Sequence, residues 1–460
     1  MTNSLNTVET YRVGEALFKI KSSQAIFEYV NTPVIVTDKI SKRGIAPWGE
    51  NNDLPNQIIE LIDTNPVASA AVEHKIDVAY GNGVEFGRMV KKTENSKPEF
   101  LAYTYDEIAA NPQLKKVQDF FNNNNIDQQF AENISDLVWF SKSYVEFILN
   151  RDNPSKREIT RYTSKEATYS RLEVANEKTG KIENHFYYAK WPESPEIDEI
   201  YTTPVIENSI DLEIEIGRRS QNNGTIKDFG KYRYVVPIAL ASPGKMYYPT
   251  PYYYSIIKSG WLDLGNAIPS YKKAYMQNTM SIKYIIEIDE KYFERVFHQE
   301  NITELEKKKE RKKKELDNIN SYLKGVDAAG KSMVTYFKQT PDGKVLVPEI
   351  NIKVLNNSQG GEFIEDSHEA SAMTFIAFRT HPSLIGVIPG KTTSNLSGSD
   401  KRELLRISQS LQSRIRKAAL QPLYIVKKIN RWPEEIVFSV KDVILTSLDE
   451  GRETQEITTV

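Results

Sequence analysis

The 460-residue chain has no cysteine, which excludes disulfides, thiolate zinc sites and cysteine nucleophiles together. Histidine is scarce as well: His74, His185, His298, His368 and His381 are scattered without metal-ligand spacing and read as structural residues. No apolar run approaches the ~18 residues that a membrane span needs, so no membrane partner is expected. The N-terminus lacks the basic and apolar regions of a secretory signal, so the product is expected to stay in the cell that makes it. An excess of one charge is missing too. Sixty Lys and Arg against 62 Asp and Glu leave a formal net charge of -2, so the whole molecule does not cling to phosphate backbones and any contact with nucleic acid is local or weak. No serine has a Gly-x-Ser-x-Gly setting, and no carboxylate pair suggests a catalytic cleft. The sequence therefore assigns no catalytic residue, no metal ligand and no cofactor.

What is present is the composition of a soluble globular chain, 27% charged and 39% hydrophobic with mean hydropathy -0.51, long enough for two or three lobes. Short strand-like runs, Ala25–Val30 and Val34–Thr37, lie in a polar arm over residues 1–45. Two helices are expected over Asn56–Ile62 and Pro66–Tyr80, the second capped by Asn65 and closed by Gly81-Asn-Gly83. Helical spacing returns at Leu114–Phe121 and Phe130–Leu149, with Asn122–Asp127 as a linker and Ile134, Leu137, Val138, Phe140 and Tyr144 turned inward. From Arg151 to Pro243 the period changes to two, in runs such as His185–Trp191, Leu212–Ile216 and Tyr232–Ile238, which predicts a mainly antiparallel sheet. The fold class is α+β.

Tyr252–Met280 reads as one helix, about 40 Å long, with Ile257, Trp261, Leu264, Ile268, Tyr271 and Tyr275 in a stripe and a kink at Pro269. A strand over Ser281–Ile288 follows, then a helix over Ile302–Leu323, then strands Met333–Lys338, Val345–Val347 and Ile350–Leu355. Within that helix seven of the twelve residues 304–315 are basic, but four glutamates interleave with them, Glu304 four residues before Lys308 and Glu310 before Lys314. This is how a solvated helix supports itself, and it outweighs a nucleic-acid patch.

The most informative stretch is Glu362–Pro422. A helix follows Gly360-Gly361, with Phe363, Ala370, Met373 and Ala377 on one face, and Pro382 ends it. A polar segment over 383–400 comes next. A second helix then starts at Asp400 as N-cap with Glu403 in the capping-box position, carries Leu404, Ile407, Leu411, Ile415 and Ala418, and is disturbed only at Pro422. Gly386-Val-Ile-Pro-Gly-Lys-Thr392 comes close to a phosphate-binding P-loop but has three residues between its glycines where four are needed, and Pro389 lacks a donor.

The order helix, Thr380-His-Pro-Ser-Leu-Ile-Gly386 turn, Ser/Thr/Asn/Gly loop and basic amphipathic helix resembles the tunnel-loop region of tailed-bacteriophage portal proteins. Trp48-Gly, Leu54-Pro, Asn65-Pro and Tyr80-Gly-Asn-Gly83 resemble the opening of that family's wing, and Ser242-Pro-Gly with Tyr248-Pro-Thr-Pro251 its lead-in to the first stem helix. The resemblance implies an α+β wing over 46–251, a first stem helix over 252–280, a clip insertion over 281–359, a second stem helix over 360–382, a tunnel loop over 383–400, a long helix over 401–432 and a short C-terminal segment over 433–460 with a reduced crown. It further implies a virion ring of about twelve subunits, made in the host bacterial cytoplasm, with the major capsid protein, the terminase motor and neck proteins as partners. Double-stranded DNA would pass Lys391, Thr392, Thr393, Ser394, Asn395 and Ser397 without sequence specificity. The alternatives are a nucleotide-driven enzyme using Gly386–Thr392 and another ring-forming virion structural protein.

Overall fold

The computed structural model describes residues 8–13, 16–21, 43–91, 97–150, 157–196, 198–221, 232–279, 284–323, 337–339, 346–348, 350–354, 362–385 and 398–443. The chain is α+β and divides into two compact units, one of residues 1–266 with 368–460 and one of residues 267–367.

In the first unit an antiparallel hairpin, β1 (Val8–Val13) and β2 (Ala16–Lys21), precedes everything else. The strand-like runs expected at Ala25–Val30 and Val34–Thr37 lie outside the described residues. Helix α1 (Leu54–Asp63) leads to α2 (Pro66–Tyr80), whose N-cap Asn65 accepts hydrogen bonds from the Val67 and Ala68 amides. Gly81 ends α2 at φ 62°, in contact with the Lys441 carbonyl, where a Cβ would come within 2.4 Å of the oxygen. The chain then enters β3 (Val84–Val90), the centre of an antiparallel sheet between β4 (Glu99–Ala102) and a strand from the far end of the chain.

Helices α3 (Tyr105–Ala110), α4 (Pro112–Asn124) and α5 (Ile126–Phe140) follow. The linker expected over Asn122–Asp127 is only Asn125, at φ 48° between α4 and α5. The helix expected to run to Leu149 stops at Ser141, φ 56°, and Lys142–Leu149 is strand β5. Nearly every side chain of β5 is buried on one face or the other, because the strand lies between β6 (Ile159–Lys165) and β10 (Arg233–Ala239) with both faces covered. Such a strand has no polar alternation to distinguish it from a buried helix.

A second small sheet orders β7 (Ser170–Leu172), β8 (Asn184–Tyr187) and β9 (Tyr201–Pro204), all antiparallel. Leu212–Ile216, read as strand from its alternation, belongs instead to helix α6 (Ser209–Gln221). The Asn208 side chain accepts from the Asp211 amide at 3.0 Å and starts that helix. Leu212 is buried, while Ile210 and Ile214 are exposed. The single helix expected over Tyr252–Met280 is two, α7 (Ser255–Lys258) and α8 (Trp261–Thr279), separated at Gly260 with φ 79°. Helix α8 continues through Pro269.

In the second unit β11 (Tyr284–Ile288) precedes α9 (Glu290–Gln299) and α10 (Leu305–Leu323), and three short strands follow: β12 (Phe337–Gln339), β13 (Leu346–Pro348) and β14 (Ile350–Val354). β11 pairs with β14 and β12 with β13, both antiparallel. Helix α9 went unseen in the sequence reading. It packs against the lysine-rich α10 through Lys308 and Lys312 over the Phe297 and Phe293 rings and through Arg311, which bonds Glu300 and Glu315. Glu304 pairs with Lys307 and Glu306 with Lys309 at i,i+3 in place of the expected Glu304–Lys308 partner, while Glu315 pairs with Arg311 at i,i+4.

The chain returns to the first unit in α11 (Glu362–Phe378), then α12 (Pro382–Ile385), α13 (Gly398–Leu411), α14 (Ser413–Ile429) and β15 (Val437–Val440), which pairs with β3. Helix α11 ends at Arg379, φ 53°, before Pro382 is reached: the Thr380 amide bonds the Phe375 carbonyl and the Arg379 amide that of Ile376. Its buried residues include the expected Ala370 together with Thr374, Phe375 and Phe378, and Met373 and Ala377 lie half-buried beside them, so the centre of the buried face falls next to the expected one. Helix α13 begins three residues earlier than expected, at Gly398, with Asp400 in its first turn and not at the cap. The break in the following helix falls at the buried Gln412; Pro422 is carried inside α14.

The larger of two core clusters in this unit joins α2, α4, α5, β5, β10 and α14. Inside it Asn133 donates to the Gln129 carbonyl and the Tyr162 hydroxyl and accepts from Ser143 and Ser164. Asn133→Ala strands three buried hydroxyls and should cost about 2–4 kcal/mol in guanidinium unfolding. A loss under half a kcal/mol would show that the network contributes no net stability.

Candidate functional site

The polar segment of interest is held at both ends by one helix. α12, just before it, packs against α2 and α13, and α13, just after it, packs against α2 and α14. The ends of α12 and α13 thus lie at neighbouring places, and α2 is their common support. Residues 386–397, which include Lys391, Thr392, Thr393, Ser394, Asn395 and Ser397 and the near P-loop run Gly386–Thr392, lie outside the described residues.

Three polar anchors fix α2 to the long helices around it. At its N-terminus the Asn65 amide donates to Asn266 of α8 at 2.9 Å, and Asn266 in turn donates to the Leu61 carbonyl at 3.0 Å. Gly265 makes this approach possible, since a Cβ there would stand 3.0 Å from the Asn65 amide nitrogen. At its C-terminus Arg416 of α14 donates to the Val78 and Ala79 carbonyls at 2.8 and 3.1 Å and pairs with Asp442 at 2.7 Å. A guanidinium suits that place, because the last carbonyls of a helix have no internal partner and carry its negative pole.

The third anchor is Lys75, buried in the middle of α2. Its ammonium donates to the Phe378 carbonyl at 3.2 Å, at the C-terminal end of α11, and sits 4.2 Å above the Tyr252 ring. Tyr253 stacks on the Phe378 ring at 4.5 Å and donates its hydroxyl to the Trp139 carbonyl at 2.5 Å. Burial lowers the Lys75 pKa to about 8, and the nearby Arg379 adds to the shift. The end of α11 is therefore stapled by a lysine and two tyrosines immediately before the chain enters Pro382–Ile385.

Of these anchors only Asn65 is singled out in the sequence, and there as a helix cap and not as a tie to Asn266. A signal did exist: Lys75 stands in register with Ala68, Ala71, Val72, Val78 and Ala79, all buried, so a lysine occupies a position of the apolar stripe. The arrangement as described is a support for the helices on either side of residues 386–397 and, among the described residues, brings no acid–base pair together for chemistry. Among the described residues no cluster of His, Asp or Glu is placed to hold a metal, and no helix is long and apolar enough to cross a membrane.

No protein-family model and no curated protein matches the chain. Its fold is found in solved particles. A chain in the neck of a native gene transfer agent particle, computed with C12 symmetry, is similar with TM-score 0.53 and 14% identity over 91% of this chain and 89% of its own. A chain in the neck of an empty particle, computed with C6 symmetry, gives TM-score 0.51 and 14% identity over 88% and 86%.

The buried lysines fix a pH dependence. The folded Lys75 pKa of about 8 lies below the ordinary lysine value, as does that of Lys142, lowered to about 7 by burial. The unfolded chain then binds protons more tightly, so stability rises as pH goes from 7 to 10. Above 10 the buried tyrosines, whose pKa values burial raises, reverse the trend. The unfolding free energy of Lys75→Met in guanidinium titrations should rise less than that of the wild type between pH 8 and 10, a difference on the order of 1–3 kcal/mol. Identical slopes would show that Lys75 is not held in a desolvated site.

Proposed function

We propose that the chain is the subunit of a ring-shaped virion channel of the portal type, at the head-to-tail junction of a phage-like particle, and that it is not an enzyme. One observation carries the reading: about nine-tenths of the chain shares its fold with about nine-tenths of a neck chain in a particle computed with C12 symmetry. The order of elements described above supports it. In this reading residues 46–251 are the wing, α8 and α11 lie in the stem, residues 281–359 form the clip that docks the terminase and later the neck proteins, and residues 383–400 form the tunnel loop inside a ring of about twelve copies. The ring sits in the major capsid protein shell, and its subunits are made in the host bacterial cytoplasm.

The electrostatics suit a channel. Each neutralised phosphate adds affinity, so a pore that moves DNA works best with little charge in contact with it. A loop of Thr392, Thr393, Ser394, Asn395 and Ser397 with Lys391 as its single charge offers hydroxyls and amides to any sequence equally. One lysine per copy becomes a ring of charge, enough to centre a duplex and too little to hold it.

Negative-stain images of the purified protein should show rings of about twelve copies with a central hole. Deleting Lys391–Ser397 should leave those rings intact and lower DNA packaging or retention at least tenfold. Solid discs or persistent monomers would sink the channel reading, and normal packaging by the deletion variant would sink the loop assignment.

A further inference from the structure

We infer that copies of this chain join through a knob and a socket: Tyr105 of one copy enters an aromatic pocket beside Tyr248 of the next. The inference rests on the ring proposed above and names the contact that closes it. Knob and socket are different patches of the same chain, so the contact is head-to-tail, the kind that makes rings and not twofold dimers.

The socket lies between the turn Pro47–Gly49 and the segment Gly244–Lys258, with a volume of about 290 Å³. That is the lower edge of the roughly 300–1,000 Å³ of ligand sites, room for one large side chain. Its aromatic walls are preformed. Trp48 stacks on Tyr248 at 4.4 Å, the Tyr248 hydroxyl donates to the Ala46 carbonyl and accepts from the Leu172 amide, and the Tyr247 hydroxyl accepts from the Ala175 amide. Lys245, Lys258 and the exposed Met246 complete the lining, which contains no carboxylate.

The knob is equally rigid. Tyr105 is the first residue of α3 and is 84% exposed. Around it the chain makes a capping box, Thr104 with Glu107, and an Arg88–Glu107 ion pair at 2.7 Å, with Arg88 also lying over the Tyr103 ring. A corner this well tied that leaves its one large ring in water is arranged for a partner, since a fixed aromatic loses little entropy on docking. The exposed Asp106 beside it supplies the negative charge that the lysine-bearing socket lacks.

Because the chain has no cysteine, Ala109→Cys, at an exposed position one helical turn beyond Tyr105, with Met246→Cys in one polypeptide gives a clean crosslinking test that keeps the Tyr105 ring. Mild oxidation of the assembled protein should yield a ladder of covalent multimers on a denaturing gel, whereas each single variant stops at a dimer. Tyr105→Ala should weaken assembly roughly 30-fold. Asp106→Lys should weaken it about tenfold, and Lys258→Asp in the same chain should restore it. Rings that form normally in Tyr105→Ala, or that give no ladder, overturn the contact and leave the ring standing. A wild-type chain that never forms rings overturns the ring reading, and the contact falls with it.

Discussion

A buried cation is stable only where something returns negative charge to it, and in this fold the last carbonyls of helices do so. Lys75 closes the end of α11 and Arg416 the end of α2. Apolar burial brings these helices together without specifying direction, whereas a donor aimed at a carbonyl admits one arrangement. The long helices are thereby set against α2 at fixed places, α12 and α13 among their neighbours.

Arg171 extends the same device to the sheet side. It is fully buried between the Trp48 and Trp191 rings, and it donates to the Asn52 side chain and carbonyl and to the Thr168 and Ser170 carbonyls. Burial lowers its pKa to about 10, still well above neutrality, so the group stays charged and its cost is met by four acceptors and two ring faces. The turn that bears Trp48 is locked by it, and Trp48 in turn backs the aromatic pocket.

What the sequence made legible follows from how local each signal is. The Asn65-Pro66 start and Gly81-Asn-Gly83 end of α2 are written in adjacent residues, and the structure has both. Lys142–Leu149 misled because a strand covered on both faces shows no alternation, and Leu212–Ile216 misled in the other direction because Leu212 and Ile216 also stand one helical turn apart. The break at Gln412 has no glycine or proline to announce it. For the candidate site, the polar segment itself was conspicuous in composition, but its support was not. The partners of Lys75 and Asn65 lie 303 and 201 residues away in the chain, beyond any window of local pattern.

The remaining apolar exposure has a direction of its own. Leu264 of α8, Ile376 of α11 and Ile407 and Leu411 of α13 stand in water, although the sequence placed Leu264 in the stripe of its helix and Ile407 and Leu411 on the apolar face of theirs. Helical periodicity marks what will be covered without saying by what, and in the proposed ring a repeat that one chain leaves half satisfied would be completed by another copy. In a cyclic assembly each copy gives one patch and receives at another, so the number of subunits is set by the angle between two surfaces and not by the strength of either contact. Composition cannot encode that angle. In the ring proposed above it would be held by the buried anchors that orient the elements carrying the patches, which would make polar residues far from any interface the determinants of copy number.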